Sequence, residues 1–274
     1  MSIDDVGFKF VRQLVRERSA IVLEEGKQYL VANRLSLLAK REGLGSAQEV
    51  IDRLRAAPGG PLQRKVVEAM TTTETLFFRD RKPYEALHHT IIPELIKLRA
   101  PERKLQIWSC ACSSGQEPYS IAMLMREHFP ALVSWSVRMI ATDLSTEMLA
   151  RARAGVYSQF EVKRGLPVAL LAKYFDQTGL EWRIHHELRQ MIEFRELNLA
   201  APWTAMPAVD LIMLRNVLIY FDIDTKRQIL GRIRKVLRPG GFLLLGTAET
   251  TMNLDDGFEL VRSDGTSYYR SRSA

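Results

Sequence analysis

Residues 105–119, LQIWSCACSSGQEPY, decide the fold. Their first six residues predict a buried strand, and the small residues Ser113, Ser114 and Gly115 predict a turn into a helix. The same order of strand and helix recurs further along the chain. Strands are predicted over 137–142, 209–214 and 242–246, and helices over 145–154 and 225–237. Strands that alternate with helices form a parallel sheet covered on both faces, so the pattern predicts a doubly wound α/β domain.

The residues before this domain predict helices alone. Apolar residues recur at helical spacing, Ser46 and Glu49 have the spacing of a capping box, and the sequence PGGP at 58–61 ends a helix. We therefore expect a small all-α domain over 1–72 and the α/β domain over 73–274. Within the latter, a long helix is expected from Asp80, as its N-cap, to about Arg99, kinked or split at Pro93.

One segment, residues 155–197, interrupts the alternation of strands and helices. A turn is predicted at 165–167, and short strands are predicted at 182–184 and 191–194. We expect these residues to form a small inserted β-subdomain.

The composition is that of an ordinary globular protein, with 46% hydrophobic and 26% charged residues. Residues 1–20 lack the apolar core of a secretory signal, and no apolar run approaches the roughly 20 residues that span a bilayer. Cys110 and Cys112 have no further Cys/His cluster with which to form a metal site. These features predict a cytoplasmic protein with no metal site and no membrane insertion.

The net charge of +7 permits an acidic partner without selecting one. No segment is a concentrated basic arm with interleaved aromatic residues, so nucleic acid is not the expected partner.

The residues that follow the predicted strands should carry the chemistry, because such sheets bind ligands at the carboxyl ends of their strands. After the first strand, a loop of small residues leads to Glu117, whose carboxylate suits a cationic ligand group but also suits an ordinary helix cap. The loop lacks the G-x-G-x-x-G pattern of dinucleotide enzymes.

Two further strands end in polar residues. Asp143, after the second strand, is placed to bind the ribose hydroxyls of a nucleoside, with a helix N-cap as the alternative. Arg215 and Asn216 follow the apolar strand at 209–214, and Tyr220 comes one turn later. A satisfied turn with a half-buried tyrosine is the alternative for this third segment.

A threonine-rich stretch, TTTETLFFRD at 71–80, precedes the α/β unit. Its four threonines are not explained by helix preference, and Phe77 and Phe78 predict an anchor against the domain. Taken alone, the stretch is better explained as a threonine-rich helix cap with a surface arginine.

Together and in this order, the stretches at 71–80, 108–122, 141–143 and 215–222 resemble the chemotaxis receptor methyltransferase (CheR) family. The resemblance covers nearly the whole chain, including the helical N-terminal domain. It implies a Rossmann-like class I methyltransferase fold, with S-adenosylmethionine as cofactor and S-adenosylhomocysteine as product. The implied reaction is methyl esterification of glutamate side chains on chemoreceptors, in sensory adaptation.

The resemblance also implies roles for individual residues. The implied catalytic residues, closest to the transferred methyl group, are Arg79 and Tyr220. The implied cofactor-binding residues are Thr73, Thr75, Arg79, Glu117, Asp143, Asn198, Leu199, Arg215 and Asn216. A glutamate carboxylate is ionised near pH 7, so the implied reaction requires no general base, metal or nucleophilic cysteine.

The expected partner is the cytoplasmic, helical signalling domain of a chemoreceptor, bound by a monomeric enzyme. A basic helix over 28–41 presents Arg34, Lys40 and Arg41 to a glutamate-rich substrate, with a solvated helix face as the alternative. The segment 174–182 is shorter than the loop with which some relatives bind a receptor's C-terminal peptide. This shorter segment predicts that the enzyme methylates its receptor without binding the receptor's C-terminal peptide.

Other functions remain open at this point. They are methylation of another protein or of a nucleic acid, and receptor binding without catalysis. An NAD-dependent oxidoreductase is disfavoured by the missing G-x-G-x-x-G and by the lack of an obvious histidine or lysine for hydride chemistry.

Overall fold

The computed structural model describes residues 3–203, 206–263 and 265–272. The chain divides into two compact units. The first comprises Met1–Thr72 together with Asn198–Pro202 and Tyr220–Lys226, and the second comprises the remaining segments. The domain prediction did not include the two later segments in the first unit.

The first unit contains helices α1 (Asp5–Ser19), α2 (Gln28–Arg41), α3 (Ala47–Ala56) and α4 (Pro61–Ala69). Their buried stripes have the predicted helical spacing, with Val15, Leu35 and Val50 fully buried. The hydroxyl of Ser46 accepts the N–H of Glu49 at 3.1 Å, so the predicted N-cap of α3 is confirmed. The Pro-Gly-Gly-Pro sequence separates α3 from α4, also as predicted.

The second unit begins with a helical run whose predicted start is wrong. Helix α5 (Lys82–Ala86) is capped by Arg81, a π-helical turn covers Leu87–Ile91, and α6 (Ile92–Arg99) follows with Pro93 in its first turn. Asp80, the predicted N-cap, instead has a positive φ of 68° and accepts a hydrogen bond from Arg215. Asp80 therefore lies one residue before the N-cap position of α5, which Arg81 occupies.

The main sheet confirms the predicted doubly wound arrangement. Its strands are β1 (Lys104–Cys110), β2 (Ser136–Asp143), β6 (Ile192–Glu196), β7 (Val209–Leu214), β8 (Leu237–Leu245), β9 (Phe258–Ser263) and β10 (Thr266–Ser271). They lie in the order β6-β2-β1-β7-β8-β10-β9. Strand β10 pairs antiparallel with both of its neighbours, β8 and β9, and the other neighbouring pairs are parallel. The connections diverge between β1 and β7, the position at which such sheets bind ligands.

The helices of this unit have the bounds α7 (Gln116–His128), α8 (Thr146–Ala154), α9 (Gln159–Lys163), α10 (Val168–Tyr174), α11 (His186–Arg189) and α12 (Ile223–Val236). The last of these begins in the segment that belongs to the first unit. No helix in the described part of the chain is long and apolar enough to cross a membrane.

A separate sheet, here called the inserted sheet, is formed by β3 (Val156–Ser158), β4 (Phe175–Thr178) and β5 (Glu181–Ile184) in the order β3-β5-β4. The strand predicted at 182–184 lies here, but the one predicted at 191–194 is wrongly placed. It forms β6, which pairs with β2 at the edge of the main sheet. Short strands of this kind carry no sequence signal for the sheet that they join.

Candidate functional site

The loop that joins β1 to α7 has an unusual backbone. Ala111 and Ser113 have positive φ angles of 50° and 49°, and Gly115 has one of 96°. A Cβ at Gly115 would lie 3.0 Å from the Cβ of Ala152, so glycine is required by the close approach to α8 as well as by φ. Non-glycine residues keep positive φ angles only where the surrounding structure holds them there. Such residues are common at functional sites.

Asp143, at the end of β2, fixes this loop. Its Oδ2 accepts the N–H of Ser113 at 2.7 Å, and its Oδ1 accepts the N–H of Ser145 at 2.8 Å. The N-cap of α8 is Ser145, so the alternative that Asp143 is itself the cap does not hold. The carboxylate is buried at the carboxyl edge of the sheet, where a ribose contact is predicted.

Glu117 and the buried Arg215 form a part-buried ion pair that the sequence did not predict. Glu117 Oε2 accepts from Arg215 Nη1 at 3.0 Å, and its Oε1 accepts from the hydroxyl of Ser109 at 2.8 Å. The predicted contact of Glu117 with a cationic ligand group stays a prediction beside this ion pair. Arg215 also donates to the carboxylate of Asp80 at 2.6 Å and to the carbonyl of Arg79 at 3.0 Å.

The guanidinium of Arg215 stays protonated and positively charged. Burial lowers the pKa of its guanidinium, but attraction to Glu117, Tyr84 and Asp80 outweighs this, and the pKa is raised. The side chain is only 2% exposed, and its Nε has no hydrogen-bond partner among the residues that the structure describes. A buried donor without a partner fits a ligand that supplies a hydrogen-bond acceptor at this position.

The motif segment, Thr73–Asp80, lies against the same loop. The carbonyl of Thr73 accepts from the hydroxyl of Ser113 at 2.7 Å, and the N–H of Phe78 donates to Ser120 in α7 at 2.9 Å. Phe77 is fully buried, as its predicted anchor role requires. The guanidinium of Arg79 donates to the carbonyl of Glu74 at 3.2 Å, and the side chain of Thr75 is half-buried.

Glu249, which the sequence analysis missed, organises the loop after β7. Its carboxylate accepts the N–H groups of Asn216 at 2.7 Å, Val217 at 2.8 Å, Ile219 at 3.3 Å and Gly246 at 2.7 Å. Asn216 itself has a positive φ of 57°. The available signal was an acid shortly after the predicted strand at 242–246.

Three of the residues predicted to bind the cofactor or take part in catalysis belong to the first unit. The side-chain amide of Asn198 donates to the carbonyl of Arg18 at 2.8 Å, and its oxygen accepts the N–H of Ala200 at 3.0 Å. Leu199 is buried. The carbonyl of Tyr220 accepts the N–H of Val22 at 2.9 Å.

The three basic residues predicted on α2 have different environments. Arg34 is half-buried and donates to the carbonyl of Met70 at 2.6 Å and to the hydroxyl of Thr72 at 3.2 Å. Burial lowers the pKa of Arg34, although the nearby Tyr220 opposes that effect. Lys40 and Arg41 are exposed. The guanidinium of Arg34 is therefore engaged within the first unit, and its contact with the receptor stays a prediction.

No group of His, Cys, Asp and Glu residues in the described ranges has a geometry that could hold a metal ion. Cys110 and Cys112 are free and buried, and burial raises the pKa of both thiols well above the ordinary value. Neither is therefore a thiolate nucleophile at neutral pH.

The chain matches known proteins over both of its units. Residues 7–71 match the all-alpha domain of CheR methyltransferases, and residues 73–266 match their S-adenosylmethionine-binding domain. Chemotaxis protein methyltransferase 1 of Pseudomonas aeruginosa is 42% identical over 99% of this chain and 100% of its own length. Chemotaxis protein methyltransferase Cher2 of Pseudomonas putida is 39% identical over the same shares. The chain therefore belongs to the CheR methyltransferase family, whose cofactor is S-adenosylmethionine.

Proposed function

We propose that this methyltransferase esterifies glutamate side chains on the cytoplasmic, helical signalling domain of a chemoreceptor. The observation that carries the proposal is the full-length similarity to chemotaxis protein methyltransferases. The buried polar groups around the β1–α7 loop support a nucleoside and amino acid ligand there. We also propose that the enzyme is monomeric and cytoplasmic.

The proposed chemistry needs orientation more than proton transfer. When bound, S-adenosylmethionine supplies a methyl group on a sulfonium sulfur, and an ionised glutamate accepts it without a general base. Arg79 holds the incoming carboxylate by charge, and the phenol of Tyr220 orients it by a hydrogen bond. Positioning of this kind lowers a barrier by roughly 7 kcal/mol or more.

Cofactor binding is assigned to the residues named from the resemblance. These are Thr73, Thr75, Arg79, Glu117, Asp143, Asn198, Leu199, Arg215 and Asn216. The ion pair with Arg215 gives Glu117 a positioning role besides any contact with the ligand. Affinity for S-adenosylhomocysteine in variants of these residues tests both the cofactor contacts and the positioning role of Glu117.

The proposed receptor surface is the exposed end of α2, at Lys40 and Arg41. The variant Lys40→Glu/Arg41→Glu is expected to raise KM for the receptor and leave S-adenosylhomocysteine binding unchanged, because charge complementarity steers association. A matched control, Lys9→Glu/Arg64→Glu, carries the same charge change on the exposed faces of α1 and α4. Equal effects of the two double variants would contradict the assignment to α2.

Salt gives an independent test of the same surface. Methylation of the receptor by the wild-type enzyme should fall as salt rises from about 50 to 300 mM, because exposed charge pairs are screened. Methylation that does not respond to salt would contradict an electrostatic role for this surface.

We further propose that the enzyme acts without binding the receptor's C-terminal peptide. In the inserted sheet, β4 and β5 are joined by Gly179 and Leu180 alone, which supports the short loop predicted from the sequence. A receptor C-terminal peptide added in excess is expected neither to bind in calorimetry nor to inhibit methylation. Tight binding of the peptide would contradict this part of the proposal.

A further inference from the structure

The inserted sheet is bonded directly to the β1–α7 loop. Tyr157, on β3, is 1% exposed, and its phenol donates a hydrogen bond of 2.8 Å to the carbonyl of Ser114. Burial raises the pKa of Tyr157 well above its ordinary value, so the phenol stays a neutral donor at physiological pH. Ser114 immediately precedes Gly115, where the chain turns into α7.

The inserted sheet, and the chain between β3 and β4, also pack against the motif segment Thr73–Asp80. The ring of Phe77 makes edge-on contacts with Tyr157 and Phe175, with ring centroids 5.0 and 5.7 Å away. At Gly165, which has a φ of 89°, a Cβ would lie 2.1 Å from the carbonyl oxygen of Phe77, so the two backbones touch. Edge-on aromatic pairs and close backbone packing fix position as well as contributing stability.

We propose that the inserted sheet is part of the framework of the cofactor site, and that Tyr157 is a positioning residue for the β1–α7 loop. The proposal rests on the placement of the cofactor at that loop under the proposed function. The loop holds Ala111 and Ser113 at positive φ, and such angles persist only under external constraint. Tyr157 supplies one constraint from the inserted sheet, and Asp143 supplies another from β2.

The chain offers a matched control for this role. Tyr119 is also fully buried, and its phenol donates a bond of 2.7 Å to the carbonyl of Ala152 at the end of α8. Tyr157→Phe and Tyr119→Phe each remove one buried bond from a phenol to a backbone carbonyl. Both should therefore lower the melting temperature by a similar amount.

The test is calorimetric titration of both variants with S-adenosylhomocysteine, with steady-state methylation beside it. Tyr157→Phe is expected to raise Kd for S-adenosylhomocysteine and KM for S-adenosylmethionine by about tenfold, with kcat within about twofold of wild type. Tyr119→Phe is expected to leave Kd and KM at wild-type values. A second variant, Phe175→Leu, removes an aromatic contact from Phe77 and should also raise Kd.

Asp143→Ala separates failure of this proposal from failure of the cofactor placement. Weakened binding in Asp143→Ala with wild-type affinity in Tyr157→Phe would overturn the positioning role alone. Wild-type affinity in both variants would overturn the placement of the cofactor, and this proposal with it. Equal changes of Kd in Tyr157→Phe and Tyr119→Phe would also overturn the role, because they would show a general loss of structure.

Discussion

Glu249 is expected to be essential to the loop that presents Arg215 and Asn216. Its Oε2 accepts the N–H groups of Asn216 and Gly246, both at 2.7 Å, and its Oε1 accepts those of Val217 and Ile219, at 2.8 and 3.3 Å. Glu249→Gln keeps the shape of the side chain but replaces one oxygen with an NH₂ group. Whichever way the amide turns, two backbone donors then face another donor.

The magnitude follows from those contacts. A hydrogen bond to a charged acceptor contributes roughly 1.5 kcal/mol or more, so two lost bonds cost roughly 3 kcal/mol in the free energy of unfolding. Asn216 has a left-handed backbone, which relaxes once its N–H is released. Arg215 precedes it directly, so the relaxation should disturb the ion pair with Glu117 and lower kcat/KM by more than about tenfold.

Urea denaturation and steady-state methylation measure the two effects. Asp255→Asn is the control, because Asp255 accepts the N–H of Gly257 at 2.8 Å within the same connection after β8. The control should lose stability without a comparable loss of kcat/KM. A Glu249→Gln protein that keeps wild-type stability and turnover would refute the reasoning.

Three other predictions concern the site and the core. Asp143→Ala should weaken S-adenosylhomocysteine binding by about 1–3 kcal/mol in calorimetry, and unchanged affinity would remove Asp143 from the cofactor site. Arg79→Ala and Tyr220→Phe should lower kcat much more than they lower the melting temperature; near-normal turnover in Arg79→Ala would contradict its role. Asp210 is fully buried and accepts from Arg99 at 2.7 Å, so Asp210→Asn should cost about 3–5 kcal/mol in urea denaturation. A loss of unfolding free energy below about 1 kcal/mol would contradict the interpretation of Asp210 as a buried charge paired with Arg99.

The fold of the main sheet could be predicted because its signal is local. The strands at 105–110, 137–142 and 209–214 are apolar runs separated by helical periodicity, and each of them forms a strand. The placement of β6 could not be predicted in this way. Strand β6 pairs with β2 because of tertiary packing, which the residues of β6 alone do not reveal.

The locations of two proposed site residues could be predicted, because each lies at the end of a strand. Asp143 and Arg215 lie at the carboxyl edge, as expected. The partner of Glu117 could not be predicted, because Arg215 is 98 residues away in sequence. Glu249 was missed for the same reason, since the N–H groups that it accepts come mainly from the loop after β7.

The start of α5 was predicted one residue too early because of a tertiary contact. An aspartate before a helical stretch is a common N-cap, but Asp80 is drawn instead to the guanidinium of Arg215. Likewise, Arg34 has the spacing of a surface residue on α2, yet its guanidinium reaches the carbonyl of Met70. Both side chains are placed by tertiary charge and hydrogen-bond partners that local pattern does not reveal.

The most direct test of the central claim is the transfer of a labelled methyl group from S-adenosylmethionine to an isolated chemoreceptor signalling domain. The account predicts labelling that is lost in mild base, as a glutamate methyl ester must be, and that disappears when the acceptor glutamates are changed to alanine. Base-stable label, or label on nucleic acid but not on the receptor, would contradict it. So would binding of the receptor without any transfer of label.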